Sequence, residues 1–156
     1  MAYEEKPTVG ISALLLKPDE KSVLFGKRYG IESGGICFTG NGEWNFPGGG
    51  LRKFEMGRDA VLRELGEETG LEGVNIVLVD EYPSATTETF LDEKRHFITL
   101  YYRVIHLNGT PRVKEPKECL EWKWYQWNKF PEPLYLPVRN LISQGYNPFK
   151  ELKWHQ

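Results

Sequence analysis

Cysteine, methionine and histidine are scarce in this chain: two, two and three residues among 156. Cys37 and Cys119 lie far apart and fit neither a zinc-ligand spacing nor a disulfide framework. That points to a reduced, cytoplasmic setting. Long hydrophobic runs are also missing. None approaches the roughly 20 apolar residues that cross a bilayer, so no membrane partner is expected. The formal net charge of −2 lacks the basic excess of a general nucleic-acid binder. The start, Met-Ala-Tyr-Glu-Glu-Lys-Pro, is polar and acidic, unlike a secretory signal. There is no internal repeat and no low-complexity tract. What remains is a chain with 40% hydrophobic residues, long enough to bury a sizeable core, and it reads as one domain over 1–156.

In chain order, residues 9–17 are rich in Val, Ile and Leu and read as a strand, with a turn at 18–21 and a return strand over 22–28. Residues 29–43 hold five glycines (Gly30, Gly34, Gly35, Gly40 and Gly42) and read as a long loop of functional interest. A short extended segment, 44–47, leads into Gly48-Gly49-Gly50, where the backbone can approach a ligand closely. Beyond residue 71, a strand is expected over 74–82, a hairpin over 86–91 and 95–106, and a polar loop over 107–121. A strand with alternating aromatics follows at 122–127, then a closing helix at 137–143 stopped by Gly145. Strands at both ends around one central helix, plus a terminal helix, suggest a mixed sheet between helices.

The most informative stretch is 49–71, a glycine turn feeding one short helix that carries Arg63, Glu64, Glu67 and Glu68. Positions i, i+3 and i+4 share a helix face, so the three glutamates project together. Crowded carboxylates repel unless a cation sits among them, and oxygen-only ligands suit Mg²⁺ or Mn²⁺. Arg63 is the nearby cation apparent in the sequence. Val61, Leu62 and Leu65 occupy the opposite side and can anchor the acidic face to a core, and Gly70 supplies a C-terminal stop.

Written out, the stretch is G-x5-E-x7-R-E-L-x-E-E-x-G-L, with Gly49, Glu55, Arg63, Glu64, Leu65, Glu67, Glu68, Gly70 and Leu71 at the fixed positions. This resembles the signature of the Nudix hydrolase family (the MutT-like proteins), without gaps. The resemblance implies an α/β/α sandwich with a mixed β-sheet, Mg²⁺ or Mn²⁺ as cofactor, and water attack on a phosphorus of a nucleoside diphosphate linked to another group. Carried over position by position, it implies Glu64, Glu67 and Glu68 as catalytic metal ligands, with the Gly48 carbonyl as a further ligand. Glu55 would pair with Arg63 at the loop-to-helix junction. The region before the last strand offers Glu115, Glu118 and Glu121 as a later carboxylate, and Glu118 is the choice by position, for both catalysis and metal. Lys27, Arg28 and Gly49 would meet the phosphates.

Glu-Pro-Lys-Glu-Cys-Leu-Glu-Trp-Lys-Trp (115–124) and Gln-Gly-Tyr-Asn-Pro-Phe-Lys-Glu (144–151) are similar to the C-terminal segments of one branch of that family. It holds nucleoside triphosphate diphosphatases similar to the vertebrate thiopurine-nucleotide hydrolase and its plant cytosolic relatives. That similarity implies a base site around Thr99, Tyr135 and Leu136, a nucleotide substrate, and a homodimer. It implies conversion of a nucleoside triphosphate, such as a modified dNTP, to the monophosphate and pyrophosphate, a role in nucleotide-pool sanitation. The alternatives are another diphosphate substrate (a nucleotide sugar, ADP-ribose, a dinucleotide polyphosphate, a cap or a prenyl diphosphate) or a non-catalytic nucleotide-binding module. Gly66 inside the helix, the long loop 29–43 and Gly50 depart from the branch pattern.

Overall fold

A computed structural model describes residues 6–32, 36–37 and 40–154 of the chain, and side chains outside 31–39. The acidic start at 1–5, Gly34-Gly35 of the glycine loop and the Cys37 side chain lie outside the described residues.

Among the described residues, ten strands and two α-helices follow one another along the chain. They are β1 (Thr8–Lys17), β2 (Ser22–Arg28), β3 (Ile31–Glu32), β4 (Ile36–Cys37), β5 (Trp44–Asn45), β6 (Gly48–Gly50), α1 (Gly57–Thr69), β7 (Ile76–Leu78), β8 (Ser84–Phe90), β9 (Arg95–His106), β10 (Cys119–Gln126) and α2 (Leu136–Ser143). The main sheet runs β10-β2-β1-β9-β7, with β5 paired to β2, β6 to β1 and β8 to β9. β1 and β9 are parallel, from Thr8↔Phe97 to Leu16↔Ile105, and the other pairings are antiparallel, so the sheet is mixed.

β1 is the spine, and its alternation separates the two layers. Ile11, Ala13 and Leu15 face one way and pack with Ala60, Val61 and Leu65 of α1. Leu14 and Leu16 face the other way and pack with Val138 and Leu141 of α2. Each fully buried aliphatic side chain contributes about 1.5–3 kcal/mol of transfer free energy, which makes these two stripes the main anchors of the helices. β10 follows the same rule: Trp122 and Trp124 pack on the α1 side, Tyr125 and Trp127 on the α2 side. The chain is thus an α/β fold with a mixed sheet between two helices.

Several boundaries differ from the sequence reading, among them that of β8, which spans Ser84–Phe90 where 86–91 is expected. The strand expected over 74–82 is confined to Ile76–Leu78, because Gly73–Asn75 winds a 3-10 turn closed by reciprocal capping between Glu72 and Asn75. β10 begins three residues early, at Cys119, because a turn at 115–118 ends the loop first, with Glu118 N donating to Glu115 O at 2.9 Å. α2 begins at Leu136. Loop 29–43 contains the two-residue strands β3 and β4, paired with each other. No helix among the described residues is long and apolar enough to cross a membrane.

Candidate active site

The site forms where the outer edge of β6 meets α1. Ala13 N donates to Pro47 O at 2.8 Å and Leu51 N to Val9 O at 3.0 Å, so by ladder alternation Gly48 and Gly50 turn their backbone groups away from β1. They turn toward the helix. Gly48 N donates to Glu68 Oε2 at 3.1 Å, and Gly50 O accepts from Arg63 Nη2 at 3.0 Å. Between them, a Cβ on Gly49 would overlap the Glu64 carboxylate. The glycine run therefore lets two carboxylates of α1 lie directly against a strand backbone.

Arg63 organises the rim. Its Nε and Nη2 donate to Glu55 at 2.7 and 2.9 Å, and its Nη1 to Glu64 Oε1 at 2.7 Å and Glu67 Oε2 at 3.2 Å. The Arg63 hydrogen bonds hold the Glu55 carboxyl down at about 2, and the Glu55 partnership raises Arg63 in turn. Burial raises Glu64 above the ordinary carboxylate range, opposed by Arg63. Burial raises Glu68 further, opposed by the Gly48 amide and reinforced by the charges of Glu64, Glu115 and Glu118.

The three carboxylates of α1 that helix spacing groups together stand in different surroundings. Glu67 sits at the exposed rim, paired with Arg63 and, at 3.4 Å, with Arg52, a second cation that the spacing did not reveal. Among the described residues, the carboxylates whose oxygens lie within 4.8 Å of one another belong to Glu68, Glu115 and Glu118. Glu115 was weighed in the sequence and passed over for Glu118, yet the two come together. A hydrogen bond shared with Glu118, then burial, push Glu115 up to about 7. The loop is brought there by backbone bonds to the end of α1: Arg112 N to Thr69 O at 2.9 Å and Lys114 N to Glu68 O at 3.3 Å. Trp122 reinforces the junction, its Nε1 donating to Glu68 O at 3.3 Å while its ring lies over Gly26, where a Cβ would overlap it.

This donor set fits a hard divalent cation. It is all oxygen, and the proton affinity of Glu68 and Glu115, raised first by burial and by the hydrogen bond to Glu118 and then by neighbouring carboxylate charges, would be lowered by a cation among them. The Gly48 carbonyl points from β6 to the same side as its amide and can add a further oxygen.

Two contiguous cavities adjoin the acidic group. The first, about 260 Å³, is lined by Glu68, Glu115 and Glu118 and also by Lys27 and Arg28 at the end of β2. The second, about 230 Å³, shares Arg28, Gly48, Gly49 and Arg95 with the first and extends to Ser12, Phe97, Thr99, Tyr135 and Pro137. Tyr135 is buried, with its ring stacked on Phe90 and the Arg28 guanidinium 4.0 Å from its centre. Leu136, expected beside it, is not among the lining residues; Pro137 takes that place. Ser12, Asn45, Arg95 and Phe97 went unnoticed in the sequence, where each reads as an ordinary strand or turn residue.

Comparison with known proteins agrees with this geometry. Residues 6–144 match the NUDIX domain model. A protein named RNA pyrophosphohydrolase from Hydrogenovibrio crunogenus is 25% identical over 97% of this chain and 84% of its own length. Another of that name from Thioalkalivibrio sulfidiphilus is 39% identical over 42% of this chain, but the match spans only 31% of that protein. The crystal structure of a MutT NUDIX hydrolase from Burkholderia pseudomallei superposes with a TM-score of 0.73 at 25% identity, covering 91% of this chain and all of that one. A family model spanning nearly the whole chain, and a carboxylate helix packed on a glycine strand as that family requires, lead to one conclusion: the chain belongs to the Nudix family of hydrolases, which cleave diphosphate linkages.

Proposed function

We propose that the chain hydrolyses a nucleoside triphosphate, with a modified or non-standard dNTP as the favoured class, to the monophosphate and pyrophosphate. The observation that carries this reading is the order of features along the cleft. Acidic Glu68, Glu115 and Glu118 come first, cationic Lys27 and Arg28 next, and a cavity walled by Phe97 and Tyr135 last. That order matches a molecule with a phosphate chain at one end and a flat ring at the other. The similarity of 115–124 and 144–151 to the nucleoside triphosphate diphosphatase branch supports the same choice.

In this reading Glu68, Glu115 and Glu118 hold Mg²⁺ or Mn²⁺, with Glu64 and the Gly48 carbonyl beside them. A divalent cation there polarises phosphate oxygens and makes water a stronger nucleophile. Arg28 grips phosphate through its planar fork, and Lys27 adds a point charge. Glu118 or Glu115, the two carboxylates that meet beside Glu68, takes the proton of the attacking water. Arg63 keeps Glu64 aligned and Glu55 keeps Arg63 aligned, which is how outer partners tune such sites. Thr99 and Tyr135 bound the place of the base.

A second reading is removal of pyrophosphate from the 5′-triphosphate end of RNA. It is favoured by the names of relatives that align along nearly the whole chain, at 25% and 28% identity. One experiment separates the two. Purified protein with Mg²⁺ or Mn²⁺ is offered standard and modified nucleoside triphosphates and a short 5′-triphosphate RNA, and pyrophosphate and phosphate release are read separately. Pyrophosphate from free nucleotides at kcat/KM well above that for RNA supports the first reading. The reverse ranking replaces it with the second.

A further inference from the structure

A polar network behind the second cavity determines what that cavity can recognise. β8 and β9 pair with Thr86 opposite Thr99 and Glu88 opposite Phe97, so Thr86, Glu88, Phe97, Thr99 and Tyr101 share the face of the sheet that α2 covers. Glu88 is only 2% exposed, an unusual place for a carboxylate unless it is hydrogen-bonded. Both of its oxygens are used: Oε2 accepts from Thr99 Oγ1 at 3.1 Å and Oε1 accepts from Asn140 Nδ2 of α2 at 3.4 Å. Neither Glu88 nor Asn140 lines the cavity, whereas Thr99 does.

A threonine hydroxyl has one proton to give and two lone pairs. With that proton committed to Glu88 and the Tyr101 hydroxyl hydrogen-bonded beside it, Thr99 keeps a lone pair to offer the cavity as an acceptor. A second observation marks the same floor as a polar contact point. Ser12, 5% exposed, lines this cavity, and its Oγ is the buried side-chain polar atom without a hydrogen-bond partner among the described residues. A buried hydroxyl left without a partner costs free energy that a ligand atom can recover.

We infer that Glu88 is a specificity-positioning residue. By holding the Thr99 proton, it makes the floor of the second cavity select bases that present a hydrogen-bond donor there, an exocyclic amino group or a ring N–H, over bases that present only acceptors. This rests on the reading of that cavity as the place of the base. A site built to pair with a particular ligand group rejects analogues lacking it, because its own polar atom is then left unpaired.

The test uses triphosphate pairs that differ in one amino group: adenosine against purine riboside, guanosine against inosine, and cytidine against its 4-deamino analogue, pyrimidin-2-one riboside. Wild-type protein favours the amino-bearing member of at least one pair by on the order of tenfold in kcat/KM, the effect of about one hydrogen bond. Thr99→Val brings that ratio close to one, and Thr99→Ser keeps it. Glu88→Gln, which retains an acceptor for Thr99, also keeps it, whereas Glu88→Met loses it mainly through KM, with kcat for the amino-lacking partner unchanged. If Glu88→Met does not fold, the Thr99 pair still decides. A wild-type preference for the amino-lacking member that Thr99→Val abolishes overturns the donor assignment and leaves the base in this cavity. Ratios unmoved by Thr99→Val overturn both the inference and the placement of the base. No turnover of any nucleoside triphosphate overturns the proposed function itself.

Discussion

Arg63 grips Glu55 with one edge of its guanidinium, Nε donating to Oε2 at 2.7 Å and Nη2 to Oε1 at 2.9 Å. The same Glu55 carboxylate accepts from Arg52 N at 3.1 Å, so it ties the loop before α1 to the middle of that helix. The paired geometry fixes where Arg63 can point, and through it Glu64.

The first prediction follows from that pair. Glu55 is held down at about 2 against an ordinary 4.5, so its stabilising contribution is fully present above pH 4.5 and is lost as pH falls toward 2. Thermal melts between pH 2 and 7 should show Glu55→Gln losing less stability than wild type across that acid window. Arg63→Lys, which cannot reproduce the paired hydrogen bonds, should lower activity by roughly 10–100-fold while the chain stays folded. Wild-type turnover in Arg63→Lys would show that Glu64 does not depend on it.

Gly48, Gly49 and Gly50 should respond differently to alanine. A Cβ on Gly48 overlaps the Ile11 carbonyl, which is backbone and cannot move away cheaply, so Gly48→Ala should destabilise by about 1–3 kcal/mol. On Gly49 the overlap is with the end of the Glu64 side chain. Gly49→Ala should therefore melt close to wild type yet lose roughly 10–100-fold in activity as that carboxylate shifts. Gly50 has nothing within 4 Å, and Gly50→Ala should match wild type in both measurements. Equal melting temperatures for Gly48→Ala and Gly50→Ala would contradict the packing.

Among the carboxylates, Glu68→Gln should cost most, above roughly 100-fold in kcat, because Glu68 belongs to the acidic group and contacts Gly48. Glu67→Gln, at the rim with Arg52 and Arg63, should cost least. Parallel steady-state assays rank the two, and the reverse order would put the acidic centre back on the exposed turn of the helix.

Cation removal gives an independent readout. EDTA should abolish turnover. In EDTA, stability should fall as pH rises from 4.5 through about 7, because Glu115 binds its proton more tightly folded than unfolded. Glu115→Gln should flatten that slope. Saturating Mg²⁺ or Mn²⁺ should raise the melting temperature, by about 2.7 kcal/mol of stability at a hundredfold excess over Kd. A melting curve indifferent to both metals would contradict the fit of this donor set.

The legible parts of the chain were those governed by local spacing. The core stripe of α1, its stop at Gly70 and the alternation of Trp122 and Trp124 against Tyr125 and Trp127 all follow from helix and strand periodicity. The meeting of Glu68 with Glu115 does not. It depends on Arg112 and Lys114 bonding to carbonyls at the end of α1, a contact across more than 40 residues that no periodicity encodes. Glu67 is a related case. Spacing places it on the stripe with Glu64 and Glu68, but only the packing of α1 against β6 decides which of the three is enclosed. Glu88 and Ser12 read as commonplace strand residues, since a buried carboxylate is recognisable only from its surroundings.

β1 has a consequence for how such a protein can diversify. Ile11 and Ala13 on one of its faces pack with α1, which carries the acidic chemistry, while Ser12 on the other helps floor the second cavity. In the proposed reading, reactivity and choice of substrate are thus lodged on opposite sides of a single strand. A mutant library confined to positions 12, 88, 99 and 140 could retarget the protein while leaving its capacity to break a phosphoanhydride intact, so new selectivities could be reached in single steps through active intermediates.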